Sequence, residues 1–213
     1  MKYEAVLFDM DGTLLDTLAD LTGAVNHTLE QNGYPPRTRE EVRTFIGNGA
    51  RHLIRASVPP ELDEAETDRV LKEYRAYYLA HPCVDTCPYP GMAALVAELT
   101  ALGVKTAIVS NKPDETAKAL GRRFFPDLLT VGDDGIRPRK PAPDPVLETL
   151  KKLGVSPDRA AYVGDSEVDL ETARRSGTDG YIVSWGFRTA EELRDSGVKE
   201  LCRTAEELRE KLL

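Results

Sequence analysis

Residues 5–16 read Ala5-Val-Leu-Phe8-Asp9-Met-Asp11-Gly12-Thr13-Leu-Leu-Asp16. The first four are apolar and do not alternate with polar residues, so they read as a short strand buried on both faces. Two carboxylates, Asp9 and Asp11, follow where strand becomes loop, and Gly12 permits a tight turn there. In open α/β sheets this carboxyl edge is where ligands bind. A solvated Asx-type turn is a blander reading of the same residues. A calcium loop of the Asp-x-Asp-Gly type is a third, but its register places Leu7 and Leu18 at the first and last ligand positions. A leucine side chain cannot coordinate calcium.

Working outward, further strand-length apolar runs occur at Val104–Val109, Leu128–Val131, Ala160–Val163 and Tyr181–Val183. Helical patterns lie between most of them: Met92–Leu102, Pro143–Leu153 with proline in its first turn, and Glu167–Ser176 ending at Gly177. This rhythm predicts an α/β fold, a Rossmann-like parallel sheet with helices on both faces. Residues 16–82 break it, with helical spacing and no clear strand. Thr38-Arg-Glu-Glu41 forms a capping box, and Glu61–Ala80 carries Val70, Leu71, Tyr74, Tyr77 and Tyr78 at helical intervals. The expected organisation is an α/β core of residues 1–15 and 83–213, with an all-helical domain of residues 16–82 inserted after the first strand. The tail, Thr204–Leu213, is amphipathic and reads as a closing helix.

Three more strand or loop ends carry polar chemistry. The run ending at Val109 continues Ser110-Asn111-Lys112-Pro113, and Lys140 sits in the proline-stiffened stretch Arg137–Pro143. The run ending at Val163 continues Gly164-Asp165-Ser166-Glu167-Val168-Asp169. Ser166 lacks the second glycine of a hydrolase nucleophile elbow, which excludes it as a triad serine. Asp9, Asp11 and Asp165 thus meet a hydroxyl and an ammonium at one sheet edge. Crowded acids repel one another unless a cation neutralises them. An oxygen-only carboxylate set suits magnesium.

The 213 residues carry 36 acidic and 28 basic side chains, a net charge of -8. That balance argues against a nucleic-acid partner. No apolar stretch reaches the ~18 residues of a membrane span. Three cysteines, Cys83, Cys87 and Cys202, fit reduced thiols of a cytoplasmic protein better than a disulfide scaffold or a zinc site. Monomer and homodimer both stay open. His27, His52 and His81 are dispersed over the helical segment and read as surface or packing residues.

The ordered set Asp9-Met-Asp11-Gly-Thr13, Ser110, Lys140-Pro-Ala-Pro143 and Gly164-Asp165-Ser166-Glu-Val-Asp169 resembles the haloacid dehalogenase-like superfamily over nearly the whole chain. The resemblance implies that Asp9 is the nucleophile attacking phosphorus and Asp11 the general acid, then base. It implies that Thr13, Ser110, Asn111 and Lys140 hold the phosphoryl group. Magnesium would be held by Asp9, Asp165 and the main-chain carbonyl of Asp11. Asp169 would support the site through a metal-bound water or a hydrogen bond to Lys140. The helical insert resembles the family's cap.

Within the superfamily, Asp11 argues against a dehalogenase, whose reaction needs no protonated leaving group. Lys72 is the one lysine between 16 and 82, and it lies off the glycine loop that a phosphonate-cleaving relative would need. Thr17-Leu18-Ala19-Asp20 lacks the histidine that sugar phosphomutases usually carry after the first motif. Phe45-Ile-Gly47-Asn48-Gly49-Ala-Arg51 resembles the cap loop of bacterial phosphoglycolate phosphatases, as do Tyr74–Tyr78, Ser110–Pro113 and Val131–Asp134. This implies hydrolysis of a small phosphorylated metabolite such as 2-phosphoglycolate, with Asn48 and Arg51 contacting its carboxylate. The alternatives are a pyrophosphatase or another small-metabolite or sugar phosphatase, then a phosphomutase or a non-catalytic phosphometabolite-binding module.

Overall fold

A computed structural model describes residues 2–213. In chain order the elements are β1 (Ala5–Phe8), β2 (Leu15–Asp16), α1 (Leu18–Gln31), α2 (Arg39–Phe45), α3 (Gly49–Ser57), α4 (Glu64–Ala80), β3 (Cys87–Pro88), α5 (Met92–Ala101), β4 (Lys105–Pro113) and α6 (Asp114–Phe124). Then follow β5 (Leu129–Asp133), α7 (Asp144–Leu153), β6 (Ala160–Gly164), α8 (Glu167–Ser176), β7 (Asp179–Val183), α9 (Ala190–Asp195), β8 (Leu201–Cys202) and α10 (Ala205–Leu212).

Six strands form one parallel sheet in the order β5-β4-β1-β6-β7-β8. The apolar runs explain it, because the central strands β1, β4 and β6 bury both faces. In β1, Val6 and Phe8 enter one core with Met92, Leu95, Leu99, Leu120 and Leu208, which α5, α6 and α10 supply. Ala5 and Leu7 enter the opposite core with Val146, Leu150 and Ala173 of α7 and α8. A strand with water on one face would alternate instead. The strand order reverses at β1, between β4 and β6, so Asp9 leaves the sheet at its topological switch point, where α/β folds open a crevice.

Helices α1–α4 occupy the whole stretch between β2 and β3 and share an apolar cluster built on Val25, Leu29, Val42, Ile54, Val70 and Tyr74. Phe187, beyond β7, packs into the same cluster. The capping box at Thr38 and Glu41 forms as the spacing predicts. Helix α4 starts at Glu64 rather than Glu61, because Asp63 caps it by accepting from the Glu66 N–H. Two short strand pairings carry no periodicity in sequence. β2 and β3 pair antiparallel where the chain enters and leaves the helical segment, and β8 closes the sheet edge beside β7. Among the described residues no helix is long and apolar enough to cross a membrane.

Candidate active site

The β1 strand holds Asp9 in place through its N–H, which donates to the Val163 carbonyl of β6 at 2.8 Å. Gly12 turns the chain back with a positive φ of 82°, the left-handed region open to glycine. The glycine also makes room, since a Cβ there would stand 2.2 Å from Asp165 Oδ2. Gly186 does the same from the other side, 2.3 Å from the Asp165 side chain. Asp165 is thus wedged between two glycines, with the Phe187 N–H donating to its Oδ2 at 2.7 Å. Trp185 fixes the first loop by donating from Nε1 to the Thr13 carbonyl at 3.1 Å.

Lys140 is buried at the centre. Its Nζ donates to Asp169 Oδ1 at 2.7 Å and to Tyr162 Oη at 2.8 Å. It also lies 3.0 Å from Asp9 Oδ1, near enough for ion pairing but off the line of a hydrogen bond. Asn111 fixes the lysine's backbone: its Oδ1 accepts from Lys140 N at 2.9 Å, and its Nδ2 donates to Lys140 O and Gly47 O, each at 3.0 Å. Asp169 has both oxygens committed, Oδ1 to Lys140 and Oδ2 to the Ser166 hydroxyl and the N–H groups of Asp165 and Ser166. The hydrogen bond expected between Lys140 and Asp169 is therefore present, with Lys140 donating.

Asp9, Asp165 and Asp169 each bring a carboxylate oxygen within 4.8 Å of the others, all buried. Burial pushes Asp9 up to about 6, and the charges of Asp169 and Asp11 add to the rise against the opposing pull of Lys140. Burial, with the charges of Asp169 and Asp9, pushes Asp165 well above the usual carboxylate range, against the Phe187 N–H. For Lys140 the order reverses: burial works against its charge, but Asp169 and Asp9 outweigh it and hold it an ammonium. Among the described residues two buried polar atoms, Asp9 Oδ1 and Thr13 Oγ1, have no hydrogen-bond partner. Buried polar groups without partners are costly, and here both sit at the site. With Asp169 fully hydrogen-bonded, Asp9 and Asp165 are the oxygens left to hold a hard divalent cation, and an all-oxygen donor set fits one.

A cavity of about 50 Å³ opens above these groups, lined by Asp9, Asp11, Ser110, Asn111, Lys112 and Asp165 on the sheet side. Leu21, Ile46, Leu53, Tyr74 and Tyr78 of the helical segment form its roof, with Gly47 and Gly49 at the loop between α2 and α3. Arg188 ties roof to floor: its Nη2 donates to Ile46 O at 2.8 Å and its Nε to Glu167 at 3.2 Å.

The structure separates two residues from this group. Arg51 does not line the cavity; its guanidinium pairs with Glu64 and Asp68 of α4 at an exposed position. Ala50 and Leu53 take the inward face of α3, and two carboxylates on α4 draw Arg51 outward. Asn48 precedes α3 without capping it through its side chain, and its carbonyl accepts from Arg139 at 3.3 Å. Conversely, Lys112 and Tyr78, which lie in stretches that carry the resemblance but have no role assigned by it, enter the site. Lys112 donates to Asp11 Oδ1 at 2.8 Å, beside a second donor to the same oxygen, Thr17 Oγ1 at 2.7 Å. His27 and His81 stack on the two faces of Tyr77, away from the cavity.

The chain as a whole is similar to known proteins. Residues 6–183 match the family model described as haloacid dehalogenase-like hydrolase. A phosphoglycolate phosphatase of Aquifex aeolicus is 36% identical over 186 residues, covering 85% of this chain and 85% of that protein. An N-acetylmuramic acid 6-phosphate phosphatase of Pseudomonas aeruginosa is 33% identical over 190 residues, covering 88% and 84%. A crystal structure from Lactobacillus delbrueckii, of a protein provisionally assigned as a phosphoglycolate phosphatase, superposes with a TM-score of 0.93 at 39% identity over 100% of this chain and 99% of that one. A switch-point carboxylate facing a buried lysine, set in a chain that matches the family along most of its length, places this protein among the haloacid dehalogenase-like hydrolases.

Proposed function

We propose that this hydrolase is a magnesium-dependent phosphatase acting on a small phosphomonoester, 2-phosphoglycolate, releasing glycolate and phosphate through an aspartyl-phosphate on Asp9. The observation that carries the reading is the state of Asp9: buried, with Oδ1 unpartnered and 3.0 Å from the Lys140 ammonium. A carboxylate left free in this way is available as a nucleophile, and splitting one displacement into two lowers each barrier. Lys140, Ser110 and Thr13 bind the phosphoryl oxygens and offset their charge, the main task in phosphoryl transfer. Asp11 gives a proton to the leaving alkoxide, then takes one from the water that hydrolyses the acyl phosphate. Magnesium, held by Asp9 and Asp165, supplies further charge neutralisation when bound. Asn111 orients Lys140 through the backbone, and the apolar roof of Leu21, Ile46 and Leu53 excludes bulk water.

The substrate reading draws on the phosphoglycolate phosphatase of Aquifex aeolicus. Phosphate release from 2-phosphoglycolate, pyrophosphate, hexose phosphates and nucleotides, measured side by side with magnesium, tests it. Asp9→Asn should lower turnover by about 10³-fold or more. An Asp9→Asn protein as active as the parent overturns the mechanism, and equal rates on all substrates overturn the substrate.

A further inference from the structure

The cavity contains a buried cation that phosphoryl transfer leaves unused. Lys112, near the C-terminal end of β4, is 4% exposed and lines the cavity beside Asp11. The other cations around the site are committed. Lys140 serves Asp169, Tyr162 and Asp9, Arg188 serves Glu167 and two main-chain carbonyls, and Arg51 faces outward.

Lys112 Nζ donates to Asp11 Oδ1 at 2.8 Å and Oδ2 at 3.1 Å, and to Tyr78 Oη at 2.7 Å. An ammonium has three N–H groups. One forked N–H serves both oxygens of the Asp11 carboxylate and Tyr78 takes a second, which leaves one. Tyr78 accepts from Lys112, and among the described residues no acceptor receives the Tyr78 O–H in return. The pair therefore offers two free donors from atoms 2.7 Å apart, a spacing that a single carboxylate can span. Leu21, Ile46 and Leu53 line the same cavity, and an anion entering beside them exchanges water for donors that include this pair.

We propose that Lys112 and Tyr78 form the substrate's carboxylate clamp and select esters with an anionic group on the carbon next to the ester oxygen. The placement follows from Asp11: the residue that protonates the ester oxygen is the one Lys112 touches, so the group Lys112 reads lies within a bond or two of that oxygen. The assignment rests on the phosphatase reading above and replaces Arg51 as the carboxylate partner. A neutral alkyl ester leaves the clamp unpaired, which gives selectivity by exclusion as well as attraction.

The test compares kcat/KM for 2-phosphoglycolate and ethyl phosphate in the magnesium-loaded protein, its Lys112→Met, Lys112→Arg and Tyr78→Phe variants. The parent should prefer 2-phosphoglycolate; Lys112→Met should lower the preference ratio about 100-fold and Tyr78→Phe about 10-fold, with Lys112→Arg restoring part of it. If Lys112 only positions Asp11, both esters slow together and the ratio stays at the parent value, which overturns the clamp. A parent with no preference overturns it too. Should Lys112→Met not fold, the Tyr78→Phe ratio decides. Calorimetric binding of both esters to the Asp9→Asn protein, with and without Lys112→Met, separates the clamp from the chemistry. A parent that turns over no ester defeats the phosphatase reading, whereas carboxylate-dependent binding lost with Lys112 upholds the clamp, and equal binding of the two esters removes it.

Discussion

Asp169 Oδ1 lies 2.7 Å from Lys140 Nζ, an ion pair with both side chains almost wholly buried and 29 residues apart in sequence. The pair is cross-braced. Asp169 also binds the turn that carries Asp165, and Lys140 also faces Asp9, so one carboxylate sets the positions of two others. A buried pair adds little to stability compared with an apolar substitute, but removing one partner strands the other.

Asp169→Asn should therefore cost more than a surface charge. We expect a loss of about 3–5 kcal/mol of unfolding free energy, the range for breaking a buried pair. Turnover should fall at least about 100-fold, since Lys140 and Asp165 both lose their brace. Urea denaturation and phosphate release check the two effects, and an unaffected Asp165 site would show as unchanged magnesium binding.

Magnesium should stabilise the folded protein, because Asp9 and Asp165 repel one another when both are ionised. Ligand linkage predicts a gain of about 2.7 kcal/mol at a concentration 100 times the dissociation constant. The melting temperature should rise with added magnesium and fall with EDTA. In Asp165→Asn the magnesium response should disappear while the protein stays folded. A response that survives the substitution removes Asp165 as a ligand.

Gly186→Ala should damage the site by crowding alone. Its φ is not positive, so backbone strain does not enter, but the new Cβ would stand 2.3 Å from Asp165 and 2.4 Å from the Gly12 carbonyl. Overpacking of this kind costs about 1–3 kcal/mol. Weaker magnesium binding and slower turnover should accompany it. Gly197→Ala, where nothing lies within 4 Å but φ is 90°, should destabilise without touching activity.

Asp20 provides a pH-dependent contribution away from the site. Burial alone would raise this α1 carboxyl, but the Thr86 hydroxyl and the N–H groups of Asp85, Thr86 and Val84 outweigh burial and hold it below the ordinary carboxylate range. A depressed folded-state value adds stability above the unfolded value, about 3.9, and that stability is lost as pH falls through the folded one. Asp20→Asn should thus be destabilised by about 2 kcal/mol at pH 7, with the gap to the parent closing below about pH 4. A gap constant from pH 7 to pH 3 would show that the carboxylate's charge is not what anchors the 84–86 turn.

Local chemistry made much of this molecule readable from its amino acids. Strands buried on both faces announce themselves as apolar runs, so β1 and β6 stand within a residue of where Ala5–Phe8 and Ala160–Val163 put them. The capping box at Thr38 and the Gly177 stop depend on residues within one turn, and both form. Asp9, Asp11, Ser110, Lys140 and Asp165 are visible because each follows an apolar run or precedes a helical pattern, where a parallel sheet must expose its edge.

What needed the folded chain lies where contacts join distant segments. The β2–β3 pairing and β8 involve two residues per strand, too few for any period to show. Arg51 reads as an anion ligand because it follows a glycine loop, but the packing of α3 on α4 turns it toward Glu64 and Asp68. Lys112 stands in the Ser110–Pro113 stretch without a role until β4 sets it beside Asp11 and α4 brings Tyr78 over it, from 34 positions away. Periodicity encodes which face of an element is buried; which two elements meet there is settled by packing, and the carboxylate clamp exists only after they do.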